Sequence, residues 1–225
     1  MLKIINSKQS ENLDNRTISK KVSSKEALID NAGKAIAGSL NKPFIAVNHL
    51  EGHALSPKIN KKIQFPYLLL LISGGHTQFL EVNGVNNYKR LGTTIDDALG
   101  EAFDKTAKLL GIEFPGGPKI EEWAKKGDEN YFKLPKPIFK KGGCNLSFAG
   151  LKTAVLRTSK ELKNQKEKYH LAASFQKTIN EILYEKTKVA MKEFEKNKKN
   201  KKKTFVIAGG VASNKSIRKN LIALS

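Results

Sequence analysis

Apolar and polar positions along this 225-residue chain alternate in a way that predicts short strands separated by helices. Between residues 26 and 41, apolar side chains recur at every fourth position, which indicates a helix. Helical spacing or capping residues predict further helices at 49–57, 95–110, 119–126, 150–160, 166–194 and 214–223. Apolar runs bounded by turn residues predict strands at 44–47, 67–72, 78–82, 145–148 and 204–208. Strands that alternate with helices predict an α/β fold, whereas residues 1–25 are polar and show no period.

Three glycine turns adjoin these predicted elements, at Ser73-Gly74-Gly75, Pro115-Gly116-Gly117 and Gly209-Gly210. Glycine lets backbone N–H groups approach an anion closely, and a helix that starts after the turn adds a favourable dipole. A single glycine turn is usually only a chain reversal, but three such turns in one α/β chain favour a nucleotide-binding site. His76 follows the first turn directly, where it either orients the loop or touches a ligand.

The composition is strongly basic, with a formal net charge of +20, and it includes a single cysteine. Only four of the 41 basic residues are arginines, the residue preferred for paired phosphate and base contacts. The charge therefore permits a polyanionic partner such as tRNA and equally fits a solvated lysine-rich surface. One cysteine excludes an internal disulfide framework and fits a reducing, cytoplasmic location. No apolar run reaches the ~18 residues of a membrane span, so none is expected.

The segment from His49 to His53 is the clearest candidate for metal chemistry. In a helix, residues four apart share one face, so two neutral imidazoles can reach one cation. Glu51 is two residues from each histidine, unlike the zinc-protease pattern H-E-x-x-H, where the glutamate directly follows the first histidine. The alternative is a chance histidine pair on a solvated helix, because two ligands make an incomplete site.

Four acidic residues fall within nine positions of this basic chain, at Asp96, Asp97, Glu101 and Asp104. Like charges three or four residues apart destabilise a helix by a few tenths of a kcal/mol. Asp96 and Asp97 interact favourably with the helix dipole at the predicted helix start. This explanation does not account for Glu101 and Asp104. The pattern indicates that a cation or ligand hydroxyl groups face this acidic surface.

Six motifs occur in the order that characterises one family. They are His49-x-Glu51-x-His53, Ser73-Gly74-Gly75-His76-Thr77, Ile95-Asp96-Asp97-Ala98-x-Gly100-Glu101-Ala102-Phe103-Asp104-Lys105, Pro115-Gly116-Gly117-Pro118, Ser147-Phe148-x-Gly150-Leu151-Lys152-Thr153 and Gly209-Gly210-Val211-x-Ser213-Asn214. Together they resemble the bacterial tRNA N6-adenosine threonylcarbamoyltransferases, the TsaD family, once labelled O-sialoglycoprotein endopeptidases. The resemblance covers residues 31–225 and leaves 1–30 as an irregular, non-matching segment.

The resemblance implies a two-lobed α/β fold of the sugar kinase, actin and Hsp70 type. It implies transfer of a threonylcarbamoyl group from threonylcarbamoyl-AMP to N6 of the adenine 3′ of the anticodon in tRNA. His49 and His53 match the family's metal ligands, described with iron or zinc. The remaining matches bind substrate, namely Leu71, Ile72, Ser73, Gly74, Gly75, Asp104, Gly117, Glu121 and Asn214. The implied partners are tRNA, a paralogous TsaB-like subunit and a TsaE-like ATPase in the cytoplasm.

The chain departs from the family pattern at both ends. No Gly-Ile-Glu-Thr-Ser-Cys-like phosphate hairpin precedes residue 31, and the family's third metal ligand, an aspartate, falls beyond Ser225. We therefore expect an incomplete version of the fold. An inactive fragment that keeps the fold and its tRNA or partner binding is the main alternative function, and a metallopeptidase is a further one.

Overall fold

A computed structural model describes residues 24–60, 63–138, 142–196 and 203–224. Its strands are β1 (Tyr67–Ile72), β2 (Thr77–Gly84), β3 (Asn87–Thr93) and β4 (Phe205–Ala208). Its helices are α1 (Ser24–Ser39), α2 (His49–Leu55), α3 (Pro57–Asn60), α4 (Leu99–Leu109), α5 (Gly116–Ala124), α6 (Ala149–Ser159), α7 (Gln165–Glu195) and α8 (Lys215–Ile222). A 3-10 turn, Gly210–Ser213, joins β4 to α8. The α/β prediction is confirmed.

The four strands form one mixed sheet in the order β3-β2-β1-β4. β1 pairs antiparallel with β2, placing Leu70 opposite Phe79, and parallel with β4, placing Leu70 beside Ile207. All six residues of β1 are buried, which explains why this strand reads as an unbroken apolar run rather than an alternating one. Within the described ranges, no strand pairs with the outer edge of β4.

Apolar side chains from the two faces of the sheet enter two separate clusters. On one face, Leu70 and Phe79 pack with α4, α6 and α7, and the α7 residues Phe175 and Ile179 are fully buried there. Burial of each such side chain contributes roughly 1.5–3 kcal/mol, so α7 is a principal support of the sheet. On the other face, Leu69 and its neighbours pack against Ala54 of the short helix α2.

Two segments that were predicted to be strands are not strands in the structure. Residues 44–47 have no regular secondary structure and pair with no described strand, and Phe44 and Val47 are 38% and 73% exposed. Without a neighbouring strand, neither the backbone nor the side chains of this segment are buried. Residues 145–148 form only a single bridge, between Leu146 and Thr94.

Other element limits also shift. Helix α4 begins at Leu99 rather than at residue 95, because Ile95 donates its N–H to Leu146 and Thr94 holds the Asp97 carbonyl through its hydroxyl. Helix α1, predicted over residues 26–41, spans Ser24–Ser39, so it begins two residues earlier than predicted, and residues 1–23 lie outside the described ranges. Strand β3 was not predicted. The residue that could have indicated it is Asn86, which lies in the turn between β2 and β3 with a positive φ of 56°.

None of the described helices is both long and apolar enough to cross a membrane.

Candidate functional site

The carboxyl ends of β1 and β4 bring two of the glycine turns together. Gly209 follows β4 with φ +97°, and a Cβ there would lie 2.3 Å from the carbonyl oxygen of Ile72, the last residue of β1. Only glycine permits that approach. The carboxyl edge of parallel strands is where α/β sheets usually bind ligands, so Ser73–Gly75 and Gly209–Gly210 occupy a favourable position.

The loop after β1 is held by its own backbone and by α4. Ser73 donates its N–H to the His76 carbonyl at 2.8 Å, and Gly100 donates its N–H to the Ser73 carbonyl at 3.1 Å. A Cβ on Gly100 would lie 2.7 Å from the Gly74 Cα, so α4 starts directly against the loop. Gly74 and Gly75 are exposed. The loop therefore presents a fixed stretch of backbone to solvent.

Two of the predicted substrate residues contribute to this loop only through their backbone. Leu71 and Ile72 are fully buried, and their side chains enter the clusters on opposite faces of the sheet. A ligand at this loop would therefore meet the backbone of Leu71 and Ile72 rather than their side chains. The ligand contact itself remains a prediction.

Asp104 joins α4 to the start of α5 and borders a cavity. Gly116 donates its N–H to Asp104 Oδ1 at 2.9 Å, and a Cβ on Gly116 would lie 2.2 Å from the Ala107 Cβ. The cavity has a volume of about 510 Å³ and is lined by Gly74, Glu101, Asp104, Lys105, Lys108, Ile112, Glu113, Phe114 and Gly116. Gly117 lies at the first turn of α5 with open space around it. The β1 loop, α4 and α5 therefore meet at one concave surface.

Glu121 and Asn214 are not among the residues that line this cavity, and both have hydrogen-bond partners within the chain. Glu121 Oε1 accepts a hydrogen bond from the Ser216 N–H at 3.0 Å. Asn214 is 8% exposed; its Oδ1 accepts from the Ile217 N–H and its Nδ2 donates to Gln176 Oε1, both at 2.9 Å. Both predicted substrate residues therefore fix the start of α8, whatever ligand they also contact.

Three of the four residues in the acidic stretch have partners within the chain. Asp96 accepts from the Phe148 N–H at 2.7 Å and so caps the start of α6. Asp97 lies before α4 and forms ion pairs with Lys152 at 2.6 Å and Lys105 at 3.1 Å. Glu101 pairs with Lys105 at 2.6 Å. Internal donors thus satisfy these carboxylates, and no external cation is needed for them.

Ion pairing also sets the acidity of Asp97. Burial raises the pKa of its carboxyl, but hydrogen bonds and charges from Lys152 and Lys105 outweigh burial and hold that pKa below its usual value of 3.8. Lys152 is therefore engaged in an ion pair within the chain.

The histidine pair lies on α2, as predicted. Asn48 Oδ1 accepts the Leu50 N–H at 2.9 Å and starts the helix. The rings of His49 and His53 then meet edge to face with centroids 4.6 Å apart. Burial lowers the pKa of His53, and the charges of His49 and His76 lower it further, so both other imidazoles lie near His53.

The two histidines suit two ligand positions around a metal ion, but two ligands do not make a complete site. Across the described ranges, no group of three His, Cys, Asp or Glu side chains is arranged to hold a metal ion. Glu51 does not act with the pair: its Oε1 accepts from the Tyr88 hydroxyl at 2.7 Å and the Asn86 N–H at 3.2 Å. A metallopeptidase needs that carboxylate as a general base near the metal, so the metallopeptidase alternative is not supported.

Comparison with known proteins now decides the family. Residues 31–225 match the family model described as TsaD, tRNA N6-adenosine threonylcarbamoyltransferase. The chain belongs to this family. Its resemblance to that family is thus confirmed, and with it an α/β chain of the actin-like fold.

Two bacterial relatives named tRNA N6-adenosine threonylcarbamoyltransferase illustrate the extent of the match. The protein of Pelagibacter ubique (strain HTCC1062) is 74% identical over 192 residues, which cover 85% of this chain and 54% of that protein. The protein of Rickettsia conorii (strain ATCC VR-613 / Malish 7) is 55% identical over 192 residues, covering 84% and 56% respectively. This TsaD-family chain therefore spans about half the length of the curated relatives it matches.

A solved structure gives a more distant comparison. Component A of (R)-2-hydroxyglutaryl-CoA dehydratase from Acidaminococcus fermentans aligns with a TM-score of 0.46 at 14% identity. The alignment covers 77% of this chain and 57% of that one.

Sequence reasoning missed part of the cavity lining. Phe114 lines the cavity but lies outside the motifs that the sequence singled out, whereas Gly100 lies in one of those motifs and packs against the β1 loop, yet neither was identified as a site residue. A glycine inside a predicted helix is the signal that could have found Gly100, because it marks a close approach. No comparable signal exists for Phe114, whose significance depends on the cavity beside it.

Proposed function

We propose that this chain acts in the transfer of a threonylcarbamoyl group from threonylcarbamoyl-AMP to N6 of the adenine 3′ of the anticodon in tRNA. In that reaction the N6 amine attacks the carbonyl carbon of the mixed anhydride. The bond from that carbon to the phosphate oxygen breaks, AMP leaves, and the amine loses one proton. Family membership supports the reaction class, and the cavity bounded by the β1 loop, α4 and α5 is the observation that carries the assignment to a site.

We assign the adenylate to this cavity and its rim. The exposed backbone at Gly74 and Gly75 suits the phosphate and carbamoyl oxygens, since fixed amides stabilise developing negative charge. Asp104 uses Oδ1 to accept from Gly116, so its second oxygen is the one available to a ribose hydroxyl. We assign Glu121, held by the Ser216 N–H, together with Gly117 in the first turn of α5 and Asn214 at the start of α8, to further contacts with the same adenylate.

The metal assignment is limited to two ligands. His49 and His53 would hold one divalent ion, iron or zinc, because their rings share one face of α2 and lie 4.6 Å apart. Further ligands would come from elsewhere in a full-length family member. No step of the proposed transfer is derived through this ion.

The expected partners follow from the reaction. A tRNA substrate fits the formal net charge of +20, since phosphates attract a lysine-rich chain. A TsaB-like subunit and a TsaE-like ATPase are further proposed partners, and the cytoplasm, where tRNA is modified, is the proposed location.

A transfer assay tests this function. The purified chain, an adenylate-forming enzyme and the two partner subunits receive labelled threonine, bicarbonate, ATP and tRNA. Label should enter tRNA only when the chain is present. Asp104→Ala should abolish most of that incorporation, while Glu122→Ala, at an exposed carboxylate of α5 that pairs only with lysines, should not.

Because the chain spans about half the length of its curated relatives, one other outcome of this assay is informative. If no label enters tRNA while a full-length relative is active in parallel, the chain does not carry the reaction. Retained binding of tRNA or of a partner subunit would then identify the alternative, a fragment that keeps the fold without turnover. Equal activity of Asp104→Ala and the parent would contradict the site.

A further inference from the structure

Phe114 presents an aromatic ring to solvent at the edge of the cavity. The residue is 84% exposed, while Ile120, further along the same segment, is fully buried. Single exposed apolar residues are common and need no explanation. Phe114 differs because its ring lines the cavity of about 510 Å³ that also includes Gly74 and Asp104.

The lining of this cavity combines three kinds of chemistry. Phe114 and Ile112 supply apolar surface, Asp104 and Glu113 supply carboxylates, and Lys108 supplies an exposed cation. A nucleotide has three matching parts: a flat base, ribose hydroxyls and a phosphate. The volume also falls within the range of small-molecule sites, roughly 300–1,000 Å³.

The backbone on both sides of Phe114 is held by hydrogen bonds, so the residue has a defined place beside the cavity. Before it, Gly111 has φ +80° and Ile112 donates its N–H to the Ala107 carbonyl at 2.9 Å. After it, the Gly116 N–H binds Asp104 Oδ1. A contact surface that is already ordered loses little entropy when a ligand binds.

We propose that Phe114 is the stacking surface for the adenine ring of an adenylate bound in this cavity. The inference rests on the proposed function and adds the residue that recognises the base. Adenine offers a π-face to an aromatic side chain, and such stacking is independent of hydrogen-bond pattern. Phe114 is thus a binding residue, and it takes no part in proton transfer.

Fluorescence of 2-aminopurine riboside 5′-monophosphate tests the proposal, because stacking on an aromatic ring quenches this adenine isomer. The parent chain should bind the probe and quench it. Phe114→Ala should raise the Kd about tenfold and remove the quenching, whereas Phe114→Tyr should keep both. Phe44→Ala is the matched control, since Phe44 is an exposed phenylalanine outside the cavity lining.

The remaining outcomes separate the inference from the proposed function. If Asp104→Ala weakens binding and Phe114→Ala leaves Kd and quenching unchanged, the site stands and the stacking role is wrong. If the parent chain does not bind the probe, both proposals fail for this chain. If Phe114→Ala weakens only an anticodon stem-loop RNA with 2-aminopurine 3′ of the anticodon, the ring contacts the tRNA adenine and the proposal is overturned.

Discussion

Glu121 and Ser216 are 95 positions apart in sequence, yet the Ser216 N–H donates to Glu121 Oε1 at 3.0 Å. The bond joins α5 to the second residue of α8, and it places a carboxylate at a helix start, where the dipole favours negative charge. The same residue is a proposed ribose contact. The proposed ribose contact would therefore link ligand binding to the attachment of α8 through one side chain.

Replacing Glu121 should destabilise the fold as well as the site. Glu121→Ala leaves the Ser216 N–H without its acceptor and should lower the free energy of unfolding by about 1–2 kcal/mol, measured by urea denaturation. Glu121→Gln keeps an acceptor and should lose less. Glu122→Ala, an exposed neighbour, should leave stability nearly unchanged. Equal stability of Glu121→Ala and the parent would show that the bond contributes nothing.

The two glycines after β4 should respond differently to alanine. Gly209→Ala forces a Cβ to within 2.3 Å of the Ile72 carbonyl at a φ of +97°, so the free energy of unfolding should fall by at least about 2 kcal/mol. Gly210 is exposed with open space around it, and Gly210→Ala should change stability by less than about 0.5 kcal/mol. Thermal unfolding of both variants checks the contrast, and similar losses would contradict the close approach.

The ion pair between Lys152 and Asp97 should give a pH-dependent contribution to stability. A carboxyl whose folded pKa lies below its usual 3.8 stabilises the fold above that pH and loses this contribution as the pH falls through the folded value. Lys152→Met should therefore reduce the free energy of unfolding by about 1 kcal/mol at pH 7. The difference from the parent should shrink as the pH falls through the folded pKa of Asp97 and vanish below it. Lys160→Met, at an exposed lysine ending α6, should show no such pH dependence, and a constant difference for Lys152→Met would exclude the pairing.

The histidine pair should bind a divalent ion in the absence of substrate. We expect His49→Ala and His53→Ala each to weaken Zn²⁺ or Co²⁺ binding at least about tenfold in competition with a chromophoric chelator, because each removes one of two imidazoles. His170→Asn is the control: His170 lies on α7, and asparagine keeps an acceptor for the Asp128 N–H. Unchanged affinity in both α2 variants would rule the pair out as ligands.

The elements with the clearest local signals were predicted within a few residues. The apolar run Tyr67–Ile72 could only be a buried strand, and the periodic segment that became α7 is long enough to define a helix by itself. Asn214, followed by a helical pattern, correctly marked the start of α8. In these cases the burial and capping that stabilise the element depend on residues adjacent in sequence.

The errors arose where partners are distant in sequence. Asp96 was interpreted as a helix-dipole residue of α4, but it caps α6 through Phe148, 52 positions away. Asp97 was placed inside a helix, and its partner Lys152 lies on another one. Residues 44–47 have strand-like composition, yet composition does not provide a neighbouring strand. The histidine spacing was informative because both rings belong to one short helix.

Within the described part of the chain no strand covers the outer edge of β4, and this affects how the protein behaves at high concentration. Backbone groups on an uncovered strand edge can pair with those of another molecule and lead to self-association. A net charge of +20 on every copy opposes such encounters, but added salt screens that repulsion over about 8–10 Å. Light scattering should therefore report larger particles as ionic strength rises, and dilute low-salt buffers are the conditions in which to keep the chain monomeric.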